Sequence, residues 1–221
     1  GCRSDYWRFA REMYAAGFRR GDLVLNAFDY HLVPDGFMAD FGARAMACPV
    51  IPAGSADLDR QVRLLADLSP IAFTGRPSTL AALLERARAL EVGTNSLQKA
   101  LFAFEPLATE ESAALAETHG ITALQCHATA DLGLIAYQSD PDDGFIVDES
   151  VIVEVVDPVT GKPVPPGQKG ELVVTAFNPD YPLIRFATGD LTRQLPGESR
   201  CGRTNMRLAG VLGKVPAAVT G

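Results

Sequence analysis

Through the first half of the chain, short apolar runs alternate with segments whose apolar residues recur at helical spacing. LVLNAF (23–28), CPVIPA (48–53), IAFTG (71–75), KALFAF (99–104) and TALQCHA (122–128) have the length and continuity of buried strands. Helical patterns lie between them. Ser4 is placed to cap a helix reaching about Ala16, with Tyr6, Phe9, Ala10, Met13 and Tyr14 as its apolar set and Gly17 as its stop. A second helix follows Pro34 over roughly 35–47, with Phe37, Met38, Phe41, Ala45 and Met46 as its apolar residues. DLDRQVRLLADL (57–68), STLAALLERARALEV (78–92) and TEESAALAETHG (109–120) predict three more. Apolar strands that alternate with amphipathic helices pair in parallel, because parallel neighbours need a long crossover connection.

After about residue 133 the texture changes. LIAYQS, GFIVD, VIVEVVD, GELVVTAF and LIRFATGDL read as strands, separated by turn-rich stretches such as DPDDG, DPVTGKPVPPGQKG and NPDYP, with no helix between them. The fold class is therefore α/β, a parallel sheet with crossover helices followed by an antiparallel β subdomain. The expected boundaries are 1–132 for the α/β core, 133–212 for the antiparallel part and 213–221 for a short tail, and the closing stretch GRTNMRLAGVLGKVPAAVTG (202–221) has little independent core.

Composition narrows the chemistry. With 221 residues, 47% hydrophobic and 21% charged, the chain reads as an ordinary globular protein, and a net charge of −7 argues against wholesale binding to nucleic acid or to an anionic membrane. Cys2, Cys48, Cys126 and Cys201 are scattered, with no paired CxxC, which fits a reducing, cytoplasmic setting. The opening GCRSDYWRFAREM is charged rather than signal-like, and no apolar stretch approaches the ~20 residues of a membrane-spanning helix.

In an open parallel sheet, ligands collect outside the carboxyl ends of the strands. Three expected strand ends carry a carboxylate: Phe104-Glu105-Pro106, His127 to Asp131, and Thr188-Gly189-Asp190. A carboxylate there can accept hydrogen bonds from sugar hydroxyls or hold a hard cation, and an aromatic or imidazole face can stack on a base. A solvated loop acid explains any one of them equally well, and Gly-Asp is also ordinary turn chemistry.

Taken in order, the segments resemble the phenylacetate-CoA ligase branch of the adenylate-forming acyl/aryl-CoA synthetase superfamily. The resemblance runs through NAFDYHL, CPVIPAG and DLDRQVRLL, then FAFEP, CHATADLGLIAY, VDPVTGKPVPPGQKGELVVT, IRFATGDLT and CGRT. It implies that Asp190 binds the ribose hydroxyls of ATP or AMP. By the same resemblance Ala103, Phe104, Glu105 and Pro106 pass along the adenine, and His127 stacks on the base beside Ala128 and Thr129. Lys214 reaches the ribose or phosphate, and Asp131 supplies a Mg²⁺ ligand. Tyr30 and His31 lie where the family places aromatic residues beside the acyl pocket, although packing explains them as well. The implied activity joins a small carboxylic acid, aromatic by the resemblance, to coenzyme A through an acyl-adenylate.

Several positions depart from the family pattern. Ala103 and Phe104 replace Gly-Ala, His127 replaces Tyr, Asp131 is shorter than Glu, and Pro216 stands at the expected pivot Asp. The places where some members hold a structural zinc read Ser139, Ile146, Ser199 and Cys201, so no zinc is expected. No TTGxPK-like phosphate loop precedes the first helix and no Lys-bearing C-terminal domain follows, so no catalytic residue is assigned and the chain reads as a piece of a larger enzyme. The alternative is a non-catalytic nucleotide- or acyl-binding relative. A homodimer is open, and a dinucleotide-binding reading fails for want of a GxGxxG.

Overall fold

The computed structural model describes residues 5–55 and 57–216. Its first compact unit ends at Cys126 and its second begins at His127.

In the first unit, α1 (Phe9–Ala15) precedes β1 (Val24–Asn26), α2 (Asp35–Ala45), β2 (Val50–Pro52), α3 (Leu58–Leu68), β3 (Ala72–Gly75), α4 (Pro77–Ala89), β4 (Lys99–Phe102), α5 (Thr109–His119) and β5 (Thr122–Thr129), which runs on past Cys126. All the strand pairings of this unit are parallel: β2 with β1, β1 with β3, β3 with β4, and β4 with β5. The register sets Leu25, Phe73, Ala100 and Ala123 abreast. Leu25, Phe73, Ala100 and Ala123 are buried in one cluster with Leu80, Leu83 and Phe102.

Local chemistry explains where several elements differ from expectation. Ser4 lies outside the described residues, and the start of α1 is served by Asp5, whose carboxylate accepts from the backbone N–H of Phe9 at 2.8 Å and of Ala10 at 3.0 Å. Tyr14, expected on the buried face, is 62% exposed under the Arg19 guanidinium. Phe9 and Met13 are buried as expected, and Glu12 joins them, the set that helical geometry places together. LVLNAF shortens to three paired residues because the Asn26 side chain accepts from the Phe28 N–H at 3.1 Å and turns the chain off the ladder. KALFAF likewise stops at Phe102, since Phe104 takes a positive φ of 64°. Asp57 caps α3 as its side chain accepts from Asp59 and Arg60.

The second unit is antiparallel. β6 (Gly133–Tyr137), β7 (Phe145–Val147), β12 (Arg207–Leu208) and β11 (Gln194–Leu195) pair in that order. β8 (Val151–Val156), β9 (Gly170–Ala176) and β10 (Leu183–Thr192) form a second, three-stranded sheet. The alternation in VIVEVV places Val151, Val153 and Val155 in a core shared with Leu172, Val174 and Ile135. The stretch 202–216 contributes more to that core than its composition suggests, for Leu208 is 1% exposed.

The strand that ends in Thr188-Gly189-Asp190 is not a strand end. β10 continues through Asp190 to Thr192, with its register broken between Ala187 and Leu191. Gly189 has φ 72°, which lets the chain bulge and re-aim the next side chain.

Candidate functional site

Asp190 sits on that bulge. Its backbone is fixed on both sides: Leu191 N–H donates to the Gly213 carbonyl at 2.8 Å, and Val215 N–H donates to the Gly189 carbonyl at 2.8 Å. The tail 213–215 thus runs beside β10 as a short extra rung and carries Lys214 to the carboxylate. Asp190 is 6% exposed. Its Oδ2 lies 3.0 Å from Nε2 of His127, itself buried, and its Oδ1 meets Nζ of Lys214.

These contacts decide its charge. Burial pushes the Asp190 carboxyl up, but hydrogen bonds from His127 and Lys214 outweigh it and hold the group below the ordinary carboxylate range. An ionised carboxylate accepts, so His127 Nε2 carries the proton of this bond. The Glu171 carboxylate accepts from the Gly189 N–H at 3.2 Å and steadies the bulge from the neighbouring strand.

The end of β5 and the turn that follows it carry three further expected residues. Ala128 is buried, and Thr129 Oγ1 accepts from the Leu132 N–H at 3.1 Å, closing the turn into β6. Asp131 is exposed on that turn. Among the described residues, no group of three or more His, Cys, Asp or Glu is placed to hold a metal ion. Ser199 and Cys201 lie together, Oγ to Sγ 3.1 Å, and the same hydroxyl donates to buried Asp143, which also pairs with Arg207.

In the first unit, the loop after β4 is built differently from a chain of small residues. Ala103 is buried and Phe104 half-buried, its ring edge to face with Phe28 and under the Arg76 guanidinium. Arg76 donates to the Phe104 carbonyl and pairs with Asp35, each at 3.3 Å. Glu105 turns back to the start of α4, where it accepts from the Ser78 N–H at 3.0 Å and from the Ser78 hydroxyl at 2.7 Å. That carboxylate serves as a helix cap. Pro106 is exposed beside it.

Tyr30 and His31 line a cavity of about 310 Å³ with Pro52, Ala53, Gly54 and Ser55. The Tyr30 hydroxyl accepts from Asn26 Nδ2 at 2.7 Å, and its ring meets Phe37 edge to face. Burial, aided by the charge of Asp40, pushes the Tyr30 phenol up to about 12. His31 is exposed, with its N–H on Asp29.

The sequence reading passed over Asn26, Glu171 and Arg76. Asn26 is fully buried and also donates to the Gly36 carbonyl at 2.9 Å and accepts from Thr74, so it joins three segments. An Asn inside an otherwise apolar strand run was the available signal.

No family model matches the chain. Phenylacetate-coenzyme A ligase from Pseudomonas putida is 33% identical over 208 residues, covering 91% of this chain and 47% of that protein. The phenylacetate-coenzyme A ligase of Escherichia coli K12 is 31% identical over 216 residues, 93% of this chain and 49% of that one. A crystal structure of 2-hydroxyisobutyryl-CoA ligase, in an open conformation with 2-HIB-AMP and CoA, superposes with a TM-score of 0.87 at 30% identity over 96% of this chain and 53% of that one. Over more than nine-tenths of its length the chain is similar to phenylacetate-CoA ligases. It spans about half the length of the curated relatives it matches. Among its described residues no helix is long and apolar enough to cross a membrane.

Proposed function

We propose that this chain is the nucleotide-binding part of an ATP-dependent acyl/aryl-CoA ligase. The observation that carries this reading is the buried, ionised Asp190, aimed by a glycine bulge and bonded to His127 and Lys214. A desolvated carboxylate with an exposed, displaceable cation on one oxygen is suited to exchange that cation for sugar hydroxyls. The relatives supply the reaction: a carboxylic acid and ATP give an acyl-adenylate and pyrophosphate, and the acyl group then passes to the thiol of coenzyme A.

In this reading Asp190 takes the ribose, Lys214 moves to a ribose or phosphate oxygen, and His127, Ala128 and Thr129 border the nucleotide. Ala103, Phe104 and Pro106 border adenine, with Glu105 acting through its cap on α4. Asp131 is one exposed carboxylate on a turn, which fits a Mg²⁺ ion that takes most of its ligands from phosphate and water. The ion would neutralise phosphate charge. The acid is small and aromatic, with Tyr30 and His31 at its pocket. The protein works in the cytoplasm, where coenzyme A is available, and its exposed flanks allow a homodimer.

A second reading, a nucleotide- or acyl-binding relative without adenylation activity, draws on two observations. Both Asp190 oxygens are already bonded within the chain, and Phe104 fills space beside Phe28. Calorimetric titration with AMP, and with ATP plus Mg²⁺, beside Asp190→Ala separates the cases. Saturable binding that weakens in the variant supports the ligase reading; a folded chain that binds neither nucleotide overturns the nucleotide site.

A further inference from the structure

Asp190 and His127 are 63 residues apart in sequence, yet both side chains are more than nine-tenths buried and share a 3.0 Å hydrogen bond. Lys214, on the other carboxylate oxygen, is 72% exposed. A lysine on the surface spends rotamer entropy to hold such a contact and is strongly hydrated, so it directs a carboxylate poorly. The imidazole is short, buried and stiff. The direction of the Asp190 side chain is therefore set at Oδ2.

We propose that His127 is a positioning residue for Asp190: its Nε2–H fixes Oδ2, so that Oδ1 faces the exposed side and is the oxygen offered to a ribose hydroxyl when Lys214 leaves. This rests on the nucleotide reading above and assigns His127 an action through Asp190 rather than through its ring faces. The surroundings agree with that division. The backbone at 188–191 is held by the Glu171 carboxylate, the Thr188 hydroxyl and the tail backbone, whose bonds are made to main-chain N–H and C=O groups rather than to the Asp190 carboxylate. Lys169 donates to the Leu212 carbonyl and so serves the tail.

The test uses this chain, two variants and two nucleotides. His127→Phe keeps a ring and removes the donor; His127→Gln keeps a donor near Nε2 and removes the ring. AMP carries the ribose hydroxyls, and 2′,3′-dideoxy-AMP does not. If His127 positions Asp190, His127→Phe weakens AMP by about tenfold, the scale of one hydrogen bond to a charged group. The same variant leaves the dideoxy nucleotide unchanged, and His127→Gln stays within about threefold of the parent on AMP. AMP binding that survives in His127→Phe and falls in His127→Gln overturns the proposal, as does an equal loss on both nucleotides. Absence of AMP binding in the parent refutes the nucleotide reading and leaves positioning to be judged by NMR. Three-bond couplings of Asp190 should then report one side-chain rotamer in the parent and in His127→Gln and averaged rotamers in His127→Phe. An unchanged rotamer in His127→Phe overturns the proposal.

Discussion

The ring of Phe104 stands edge to face with Phe28, centroids 5.4 Å apart and planes at 76°, while its own backbone holds a positive φ of 64°. Two opposed terms meet at one residue. A left-handed backbone costs a side chain about 1–2 kcal/mol, and the aromatic pair returns about 0.5–1.5 kcal/mol beyond the area it buries.

Phe104→Ala keeps the strain and loses the pair, so it should destabilise the chain by about 1–2 kcal/mol. Phe104→Gly loses the pair but also relieves the strain, and should lie close to the parent. Thermal unfolding of the three proteins checks the order. A glycine variant less stable than the alanine variant would show that the backbone is not strained.

Much of this architecture was legible in sequence because burial imposes periodicity. The five apolar runs became β1 to β5, and the turn-rich half became antiparallel sheet. What stayed hidden was set by single side chains acting on distant backbone. Nothing local in LIRFATGDL tells a strand end from a bulge, since the difference lies in Gly213 and Val215 pairing beside it. His127 and Asp190 each stood out as candidates, but their contact spans 63 residues and no spacing rule reaches that far. Glu105 looked like a free carboxylate and proved to be the cap of a helix that begins 28 residues earlier, at Pro77.

Gly36 makes the Tyr30 cavity wall possible. A Cβ added there would come within 2.7 Å of the Tyr30 ring and 2.9 Å of the Asp29 carbonyl. Gly36→Ala should therefore cost about 1–3 kcal/mol by overpacking and push the phenol toward water. Burial is the first cause of the raised Tyr30 pKa, so ultraviolet titration of the phenolate should show it fall from about 12 toward the ordinary value. The sign is testable in the parent as well. A folded pKa above the unfolded one means stability is lost as pH rises from about 10 to about 12.

Asp143 ties the ends of the second unit together. It pairs with Arg207, accepts from Ser199, and accepts from the Arg200 N–H at 2.8 Å, all with its side chain 4% exposed. Asp143→Ala leaves a largely buried guanidinium without its carboxylate, and losses for such one-sided deletions run at about 3–5 kcal/mol. Urea unfolding followed by a probe in the second unit should show that loss. A change under about 1 kcal/mol would mean the arginine finds water instead.

Acid should reach the second unit through the same chemistry. Burial pushes Asp143 and Asp190 up, but the hydrogen bonds and cations around each hold both below the ordinary carboxylate value. A folded pKa below the unfolded one contributes stability that is complete above the unfolded pKa, about 4, and is lost as pH falls through the folded value. Stability should therefore be flat from neutral pH down to about 5 and decline steeply below about 4. His127→Phe removes the hydrogen bond that lowers Asp190 most, so its acid limb should be shallower than the parent's while the neutral plateau drops. Equilibrium unfolding of both proteins across that range reads the two slopes. Identical slopes would mean that His127 contributes nothing to the ionisation of Asp190, and would count against the bond on which the ribose anchor depends.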